Sequence, residues 1–121
     1  MSLSKLQQEF NECQGVLVSY AMMKGYKLTR GDGYRDPRVH GEFGEKKGYG
    51  SKWSCHKKRL AQDHNLFIDM DGDGKPDYIT DGDHPAYKDL GEFWENLHPL
   101  ARWGGWFDDA NHFSFEYKGK S

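Results

Sequence analysis

The chain has 121 residues, which is enough for one domain with one core and too few for a second. Its formal net charge is -2 and its lysines and arginines form no block, so binding to nucleic acid through long-range attraction is not expected. Hydrophobic residues make up 36% of the chain and aromatic residues 15%, so we expect a small core built largely from Trp, Tyr and Phe rings.

The sequence shows no membrane or export signal. No apolar run has the length of a membrane-spanning helix, and the N-terminus lacks the charged and apolar regions of a signal peptide. We therefore expect a monomer that is made in the cytoplasm and has no stable membrane association. Cys13 and Cys55 have neither CxxC nor zinc-finger spacing, so two free thiols are expected.

The first predicted element is a helix. Ser4 and Gln7 have the spacing of a capping box, in which the Ser hydroxyl accepts a free backbone amide at the helix start. Gly25 stands where a residue in the left-handed conformation would end the helix. Between them, apolar residues recur at steps of three and four, which predicts a helix of about five turns that packs on the core. These residues are Leu6, Phe10, Cys13, Leu17 and Tyr20.

Strands are predicted in the middle of the chain. A short one is possible at 26–29, at the start of a polar, Gly-rich stretch that continues to residue 49. Residues 60–68 predict a longer strand, whose side chains alternate between two faces. Asp63 shares one of these faces with Asn65, and His64 lies on the other.

A second helix and a closing strand complete the predicted fold. Asp83 predicts a helix cap, with Pro85 early in the first turn and Pro99 as the end of the helix. The closing strand is expected within 106–117. We expect a compact α+β domain over residues 1–121, with a small antiparallel sheet flanked by helices. The buried stripe expected on the second helix is Tyr87, Leu90, Trp94 and Leu97.

Two groups of side chains have spacings that suit a catalytic metal. His56 is followed seven residues later by Asp63, and Asp109 precedes His112 by three. A catalytic zinc takes three protein ligands from His, Asp, Glu or Cys and leaves a position open for water. Two imidazoles and one carboxylate would supply them, with Asp109 beside the metal as a general base. Spacing alone favours the alternative, that these are solvated loop residues, because His and Asp are common.

The same residues carry a resemblance to a known family. The chain reads Ser54-Cys55-His56-Lys57-Lys58-Arg59-Leu60-Ala61-Gln62-Asp63 and, near its end, Asp109-Ala110-Asn111-His112-Phe113. This is similar to the pattern SxHxxxxAxD, followed by acid-x-x-His, of the zinc peptidases of the D-Ala-D-Ala carboxypeptidase and dipeptidase group. That group includes phage L-alanyl-D-glutamate endopeptidases. The resemblance runs from about residue 26 to residue 117.

The resemblance implies a role for each of these residues. His56, Asp63 and His112 would bind Zn²⁺ in a cleft on the sheet, and Asp109 would be the catalytic base. The family also has an arginine upstream of the first His that faces the substrate. Arg35 is our choice for this arginine, which would stabilise the developing oxyanion, and Arg30 and Arg38 are rivals.

Three further positions bear on this resemblance. Ser54 would orient a metal ligand or bind substrate. Two positions depart from the family: Arg59 stands where many members have Gly, and His64 stands where an apolar residue is common. We expect His64 to be a surface residue or a second, accidental metal binder.

A second ion site is predicted in the acidic, turn-rich segment 69–83. Its spacing matches a calcium loop at positions one, three, five and nine, with Gly74 at the sixth position and Thr80 in place of the usual Glu at the twelfth. The alternative is a solvated acidic turn. We favour Ca²⁺, because close-packed carboxylates repel one another in an empty loop. The predicted ligands are Asp69, Asp71, Asp73, the backbone carbonyl of Lys75, and Asp77.

Trp103, Trp106 and Phe107 form an aromatic group just before the predicted base. We expect two of them in the core and Trp106 in the wall of a substrate cleft. The resulting expectation is a zinc peptidase that cuts an amide bond in the peptidoglycan stem peptide. It would be a phage lysis enzyme that acts on the periplasmic cell wall after its release from the host cytoplasm. The alternative is a non-catalytic, calcium-stabilised module that binds the cell wall or forms part of the virion.

Overall fold

The structure is a computed structural model, and it describes residues 2–31, Gly33, Phe43 and 54–121. Within these residues two α-helices accompany an open antiparallel sheet of five strands, which confirms the predicted α+β class. Neither described helix combines the length and the apolar character that crossing a bilayer requires. The elements in chain order are α1 (Leu3–Met23), β1 (Lys27–Arg30), β2 (Ala61–Ile68), β3 (Asp77–Tyr78), α2 (Pro85–Glu95), β4 (Ala101–Trp103) and β5 (His112–Phe115).

Helix α1 forms where its apolar stripe predicts, but its cap differs from the prediction. The Ser2 hydroxyl, not that of Ser4, accepts the first free amide, from Lys5. Gln7 donates to the carbonyl of Lys58 instead of closing a capping box. Gly25 follows the helix with a φ of +80°, as expected for the left-handed residue that ends it. Leu6, Phe10 and Leu17 of the predicted stripe are buried, and Cys13 and Tyr20 are half-buried. Ala21, which the prediction did not include, is buried as well.

Strand β2 is the centre of the sheet. The strand order is β1-β2-β5-β4, and the short β3 also pairs with β2. Phe67 of β2 faces Lys27 of β1 on one side and Tyr78 of β3 on the other. Because Asp63 pairs with His112 of β5 on the edge opposite β1, strands β3 and β5 follow each other along the same edge of β2. This arrangement leaves a gap between them.

The helices cover one face of the sheet with aromatic rings. Trp94 of α2 lies between Phe113 and Phe115 of β5, with ring centroids 6.0 and 5.8 Å away. Phe10 of α1 meets both Trp94 and Phe115 edge-on. Edge-to-face pairs of this kind add to the stability that the buried area provides. This face therefore holds the core, and the other face of β2 is left for the side chains around Asp63.

His64 is on the core face, which corrects the expectation that it is a surface residue or a second metal binder. Its side chain is buried against Phe113, with ring centroids 5.6 Å apart. Burial and the charge of Arg30 lower the pKa of His64 to about 4, against an opposing effect of Asp63. Successive residues of a strand face opposite ways, so His64 points away from Asp63 and cannot bind the same metal ion.

Helix α2 and the strands near it differ from the prediction in detail. His84, not Asp83, caps α2, because its Nδ1 atom accepts the amide of Ala86. The helix ends at Glu95, before Pro99, so Leu97 lies beyond it and is half-buried. The predicted closing strand contracts to β5, and residues 104–107 form a 3-10 helix.

Candidate metal centre

His56 is held in place by the local backbone. It lies in a 3-10 helix, Cys55–Lys58. The Ser54 hydroxyl caps this helix and accepts a hydrogen bond from the His56 backbone amide at 3.2 Å. Arg59 ends this helix in the left-handed conformation, with a φ of +58°. That conformation favours Gly, although Arg stands here. The imidazole of His56 is fully buried.

Asp63 and His112 meet because their strands pair in register. They are 49 residues apart in the chain but directly opposite each other in β2 and β5. Residues paired in this way project from the same face of a sheet. His112 Nδ1 lies 3.3 Å from Asp63 Oδ1, and His56 Nε2 lies 3.3 Å from the same oxygen. The two imidazole centroids are 5.1 Å apart.

The arrangement keeps the carboxylate of Asp63 ionised. Burial alone would raise the pKa of Asp63, but hydrogen bonding and charge from His112 and His56 outweigh it and lower the pKa to about 2. An ionised carboxylate and two imidazoles are suitable ligands for a divalent transition metal. One ligand atom from each side chain lies within 4.8 Å of the others, so this group could hold a metal ion.

The hydrogen bonding of His56 supports a ligand role. Its Nδ1 atom lies 2.6 Å from the carbonyl oxygen of Gly33. A carbonyl only accepts, so Nδ1 carries a proton in both forms of the ring. In the charged ring Nε2 also donates, to Asp63, and in the neutral ring Nε2 has a free lone pair that a metal can take. Metal-binding imidazoles are commonly fixed by such a bond from the other ring nitrogen. The Nε2 atom of His56 is the one that faces Asp63.

Asp109 lies beside this group without being part of it. Its Oδ2 atom is 4.0 Å from His112 Nδ1, and its side chain remains 59% exposed. A short turn fixes this distance, because the His112 amide donates to the carbonyl of Asp109 and the Asp109 amide donates to that of Gly104. A carboxylate near a metal, in contact with solvent and outside the ligand group, can accept a proton from water.

Gly104 makes the close packing around this turn possible. A Cβ atom at Gly104 would lie 2.4 Å from the carbonyl oxygen of Asp109 and 2.8 Å from the Cβ of His112. Both distances are shorter than real Cβ contacts, so only glycine fits without a shift. Sequence reasoning missed this residue, because the Gly104-Gly105 pair between two aromatic residues was its only signal and says nothing about what it touches.

The remaining predicted residues of this site have different outcomes. Ser54 is buried and caps the helix of His56, which favours the ligand-orienting alternative over substrate binding. Arg35 and its rival Arg38 lie outside the described residues, so the arginine at the site stays a prediction. Arg30, the other rival, is the last residue of β1 and pairs with His64 of β2. It therefore lies along the edge of β2 opposite the one that pairs with His112.

The expectation that two of the three aromatic residues lie in the core is wrong. Trp103 is buried, but Trp106 and Phe107 are 54% and 80% exposed. Trp106 packs edge-on against Trp103 and donates from its indole nitrogen to Glu95. Its role in a cleft stays a prediction. The 3-10 helix that carries it leads directly into the turn of Asp109, so Trp106 stands close in sequence to the predicted base.

A cleft of about 240 Å³ opens next to Asp109. One wall comes from the chain just before β5 and the other from β3 and the residues that follow it. Sequence reasoning missed this feature, because it depends on the gap between two strands that are far apart in the chain. The lining residues are Tyr78, Ile79, Thr80, Gly82, Tyr87, Asp108, Asp109, Ala110 and Asn111.

The acidic loop gathers four carboxylates, as the calcium prediction requires. Oxygen atoms of Asp69, Asp71, Asp73 and Asp77 lie within 4.8 Å of one another. Amide donation from Gly74 and Gly72 lowers the pKa of Asp69, although burial acts against it. The loop is exposed, and exposed acidic groups are common without an ion, so Ca²⁺ binding here stays a prediction.

No protein-family model matches the chain, and no curated protein matches it significantly.

Proposed function

We propose that this protein is a zinc-dependent peptidase that hydrolyses an amide bond in the peptidoglycan stem peptide. The bond would be of the L-Ala-D-Glu endopeptidase or the D-Ala-D-Ala carboxypeptidase type, and the protein would be a phage lysis enzyme acting on the periplasmic wall. One observation carries the proposal: His56, Asp63 and His112 converge within ligand distance, with the carboxylate of Asp109 next to them. The motif resemblance supplies the substrate class.

The ligand set favours a catalytic metal site over a structural one. Structural zinc sites usually close with four Cys or His ligands, whereas two His and one Asp leave a position open. Cys55 is adjacent to His56 but donates to the carbonyl of Lys120, and burial raises the pKa of its thiol to about 11. Its sulfur is not among the ligand atoms that converge in this group, so it does not complete a closed site. A zinc ion held here would lower the pKa of a water molecule and polarise the substrate carbonyl.

Asp109 then has the position that a general base needs. Its carboxylate would accept a proton from the attacking water as the new C–O bond forms. It would return that proton to the amide nitrogen as the C–N bond breaks, so that a free amine leaves. Arg35 is the predicted donor to the carbonyl oxygen in this step, by resemblance.

The non-catalytic alternative rests on a separate observation, the four carboxylates of the acidic loop. A calcium-stabilised wall-binding or virion module would need this loop but would not need Asp109. The two functions therefore differ in how they respond to a change of that one side chain.

The test is mass spectrometry of purified peptidoglycan after incubation with the zinc-loaded protein. We expect new amine and carboxyl termini at one bond of the stem peptide, and no release after zinc chelation. Asp109→Asn should abolish release, whereas the matched control Asp81→Asn, an exposed aspartate outside both the metal group and the cleft lining, should not. Undigested peptidoglycan that still binds the protein would support the non-catalytic alternative.

A further inference from the structure

The cleft beside Asp109 lies where the edge of β2 is not covered by a strand. Strand β5 pairs with β2 up to Asp63, and one further bond joins the His64 amide to the Asn111 carbonyl. Strand β3 pairs with β2 from Phe67, and one further bond joins the Ile79 amide to the Leu66 carbonyl. Between them the Leu66 amide donates to the Tyr87 hydroxyl at 3.3 Å, and that hydroxyl donates to the carbonyl of Ile79. Tyr87 is buried, so it forms a fixed floor of the cleft. Buried, hydrogen-bonded residues thus form the cleft, and Asp109, the predicted base, is one of the residues that line it.

The walls of the cleft are acidic. The residues that line it include the acidic Asp108 and Asp109, the hydroxyl-bearing Tyr78 and Thr80, and Asn111, whose side-chain amide donates to Asn65. No Lys, Arg or His is among the described residues that line the cleft. Carboxylate and hydroxyl oxygens accept hydrogen bonds, and a cation that donates to them makes stronger bonds than a neutral group. The cleft therefore favours a positively charged donor over an anion.

The size of the cleft limits what it can hold. At about 240 Å³ it is smaller than the roughly 300–1,000 Å³ of a pocket for a whole small-molecule ligand. Its two walls approach each other at Gly82 and Ala110, where an added Cβ on Gly82 would lie 3.3 Å from the Cβ of Ala110. A space that narrows in this way suits one side chain of a longer substrate.

We propose that this cleft is a substrate subsite for a side chain that ends in an ammonium group. The ligand class is a diamino acid residue of the peptide, such as lysine or diaminopimelate. The inference rests on the proposed peptidase function and extends it to specificity: the main chain of the substrate would pass the metal group while this side chain enters the cleft. The carboxylate of Asp108 would accept a hydrogen bond from the ammonium group and would thereby determine the specificity for this side chain.

The experiment compares two N-acetylated stem peptides, one with the side-chain ammonium group and one without it. One is L-Ala-γ-D-Glu-L-Lys-D-Ala-D-Ala, and in the other norleucine replaces lysine. For the zinc-loaded protein we expect kcat/KM to be about tenfold higher for the lysine peptide, mainly through KM, as for a charge-assisted hydrogen bond in a partly exposed site. The preference should weaken with added salt.

Two matched variants locate the effect. Asp108 has a φ of +62°, a conformation that Asn also tolerates, so Asp108→Asn removes the charge without new backbone strain. We expect this variant to reduce the preference to about twofold. Asp81→Asn removes the same charge from an exposed residue outside the cleft lining, and it should leave the preference unchanged.

The outcomes separate the subsite from the peptidase proposal. Equal cleavage of both peptides, or equal effects of the two variants, would overturn the subsite and leave the peptidase function standing. If neither peptide is cut, the same pair is titrated into the isotope-labelled protein and the amide shifts of Thr80, Gly82 and Asn111 are followed by NMR. Tighter binding of the lysine peptide would then support the subsite while the hydrolysis proposal fails. Equal or no binding would overturn the subsite as well.

Discussion

Gly104→Ala tests whether the close contact of Gly104 with Asp109 and His112 positions the candidate metal ligands. The added methyl would lie 2.4 Å from the Asp109 carbonyl oxygen, so the turn must move by more than about 0.5 Å to relieve the contact. Overpacking of this kind costs about 1–3 kcal/mol of unfolding free energy. For a domain of this size, 2 kcal/mol lowers the Tm by about 6–12 °C. Because the same methyl contacts His112, zinc affinity should also fall by about ten- to a hundredfold.

Gly15→Ala is the matched control for this experiment. Gly15 lies in α1, and an added Cβ there meets nothing within 4 Å. The same substitution should stabilise the helix by about 0.5–1 kcal/mol and leave zinc affinity unchanged. The assays are thermal unfolding followed by circular dichroism, and competition for zinc with a chromogenic chelator. If Gly104→Ala melts no lower than Gly15→Ala and binds zinc as tightly as the wild type, the packing argument is wrong.

Two further predictions concern stability. Tyr26 donates to Asp89 at 2.8 Å, and its pKa is raised to about 12 by burial and then by this bond. The contribution of this bond to the free energy of unfolding should be complete below pH 10 and lost as the pH rises through 12. At pH 7, urea denaturation should show Tyr26→Phe to be less stable than the wild type by about 1 kcal/mol, and this difference should shrink between pH 10 and 12. A difference that stays constant over this range would contradict the prediction. For the acidic loop, Ca²⁺ at about 100 times its Kd should stabilise the protein by about 2.7 kcal/mol, measured as a rise in Tm that EGTA reverses and Asp71→Asn abolishes. Equal melting temperatures with Ca²⁺ and with EGTA would mean that the loop is a solvated turn.

The sequence predicted the long elements of the fold well, because their periodicity extends over many residues. The stripe of α1 and the alternation in β2 both occur in the structure. Strands β3 and β4 have two and three residues, which is too short for any period to show. The caps were misplaced at Ser4 and Asp83, because several polar residues near each helix start could serve and only backbone geometry selects among them.

The metal group could be predicted only in part. The spacing of His56, Asp63 and His112 favoured solvated loop residues, and the motif resemblance was needed to connect them. Their convergence depends on the register of β2 against β5, which brings together residues 49 positions apart. The expectation for His64 is wrong because it follows the polarity of the imidazole, whereas the apolar Leu60, Leu66 and Ile68 on the same face of the predicted strand already indicate that this face is buried. The cleft and Gly104 depend entirely on tertiary contacts.

The most direct test of the account is the zinc stoichiometry and affinity of three proteins, measured by elemental analysis and chelator competition in excess Ca²⁺ to occupy the acidic loop. The wild type should bind one zinc ion. Asp109→Asn should bind one as well, with similar affinity, because Asp109 lies beside the ligands and is not one of them. His112→Ala should lose more than about a hundredfold in affinity, because it removes a ligand outright and not a group that only orients one. Loss of zinc from Asp109→Asn, or retention of full affinity by His112→Ala, would contradict the assignment of the metal centre.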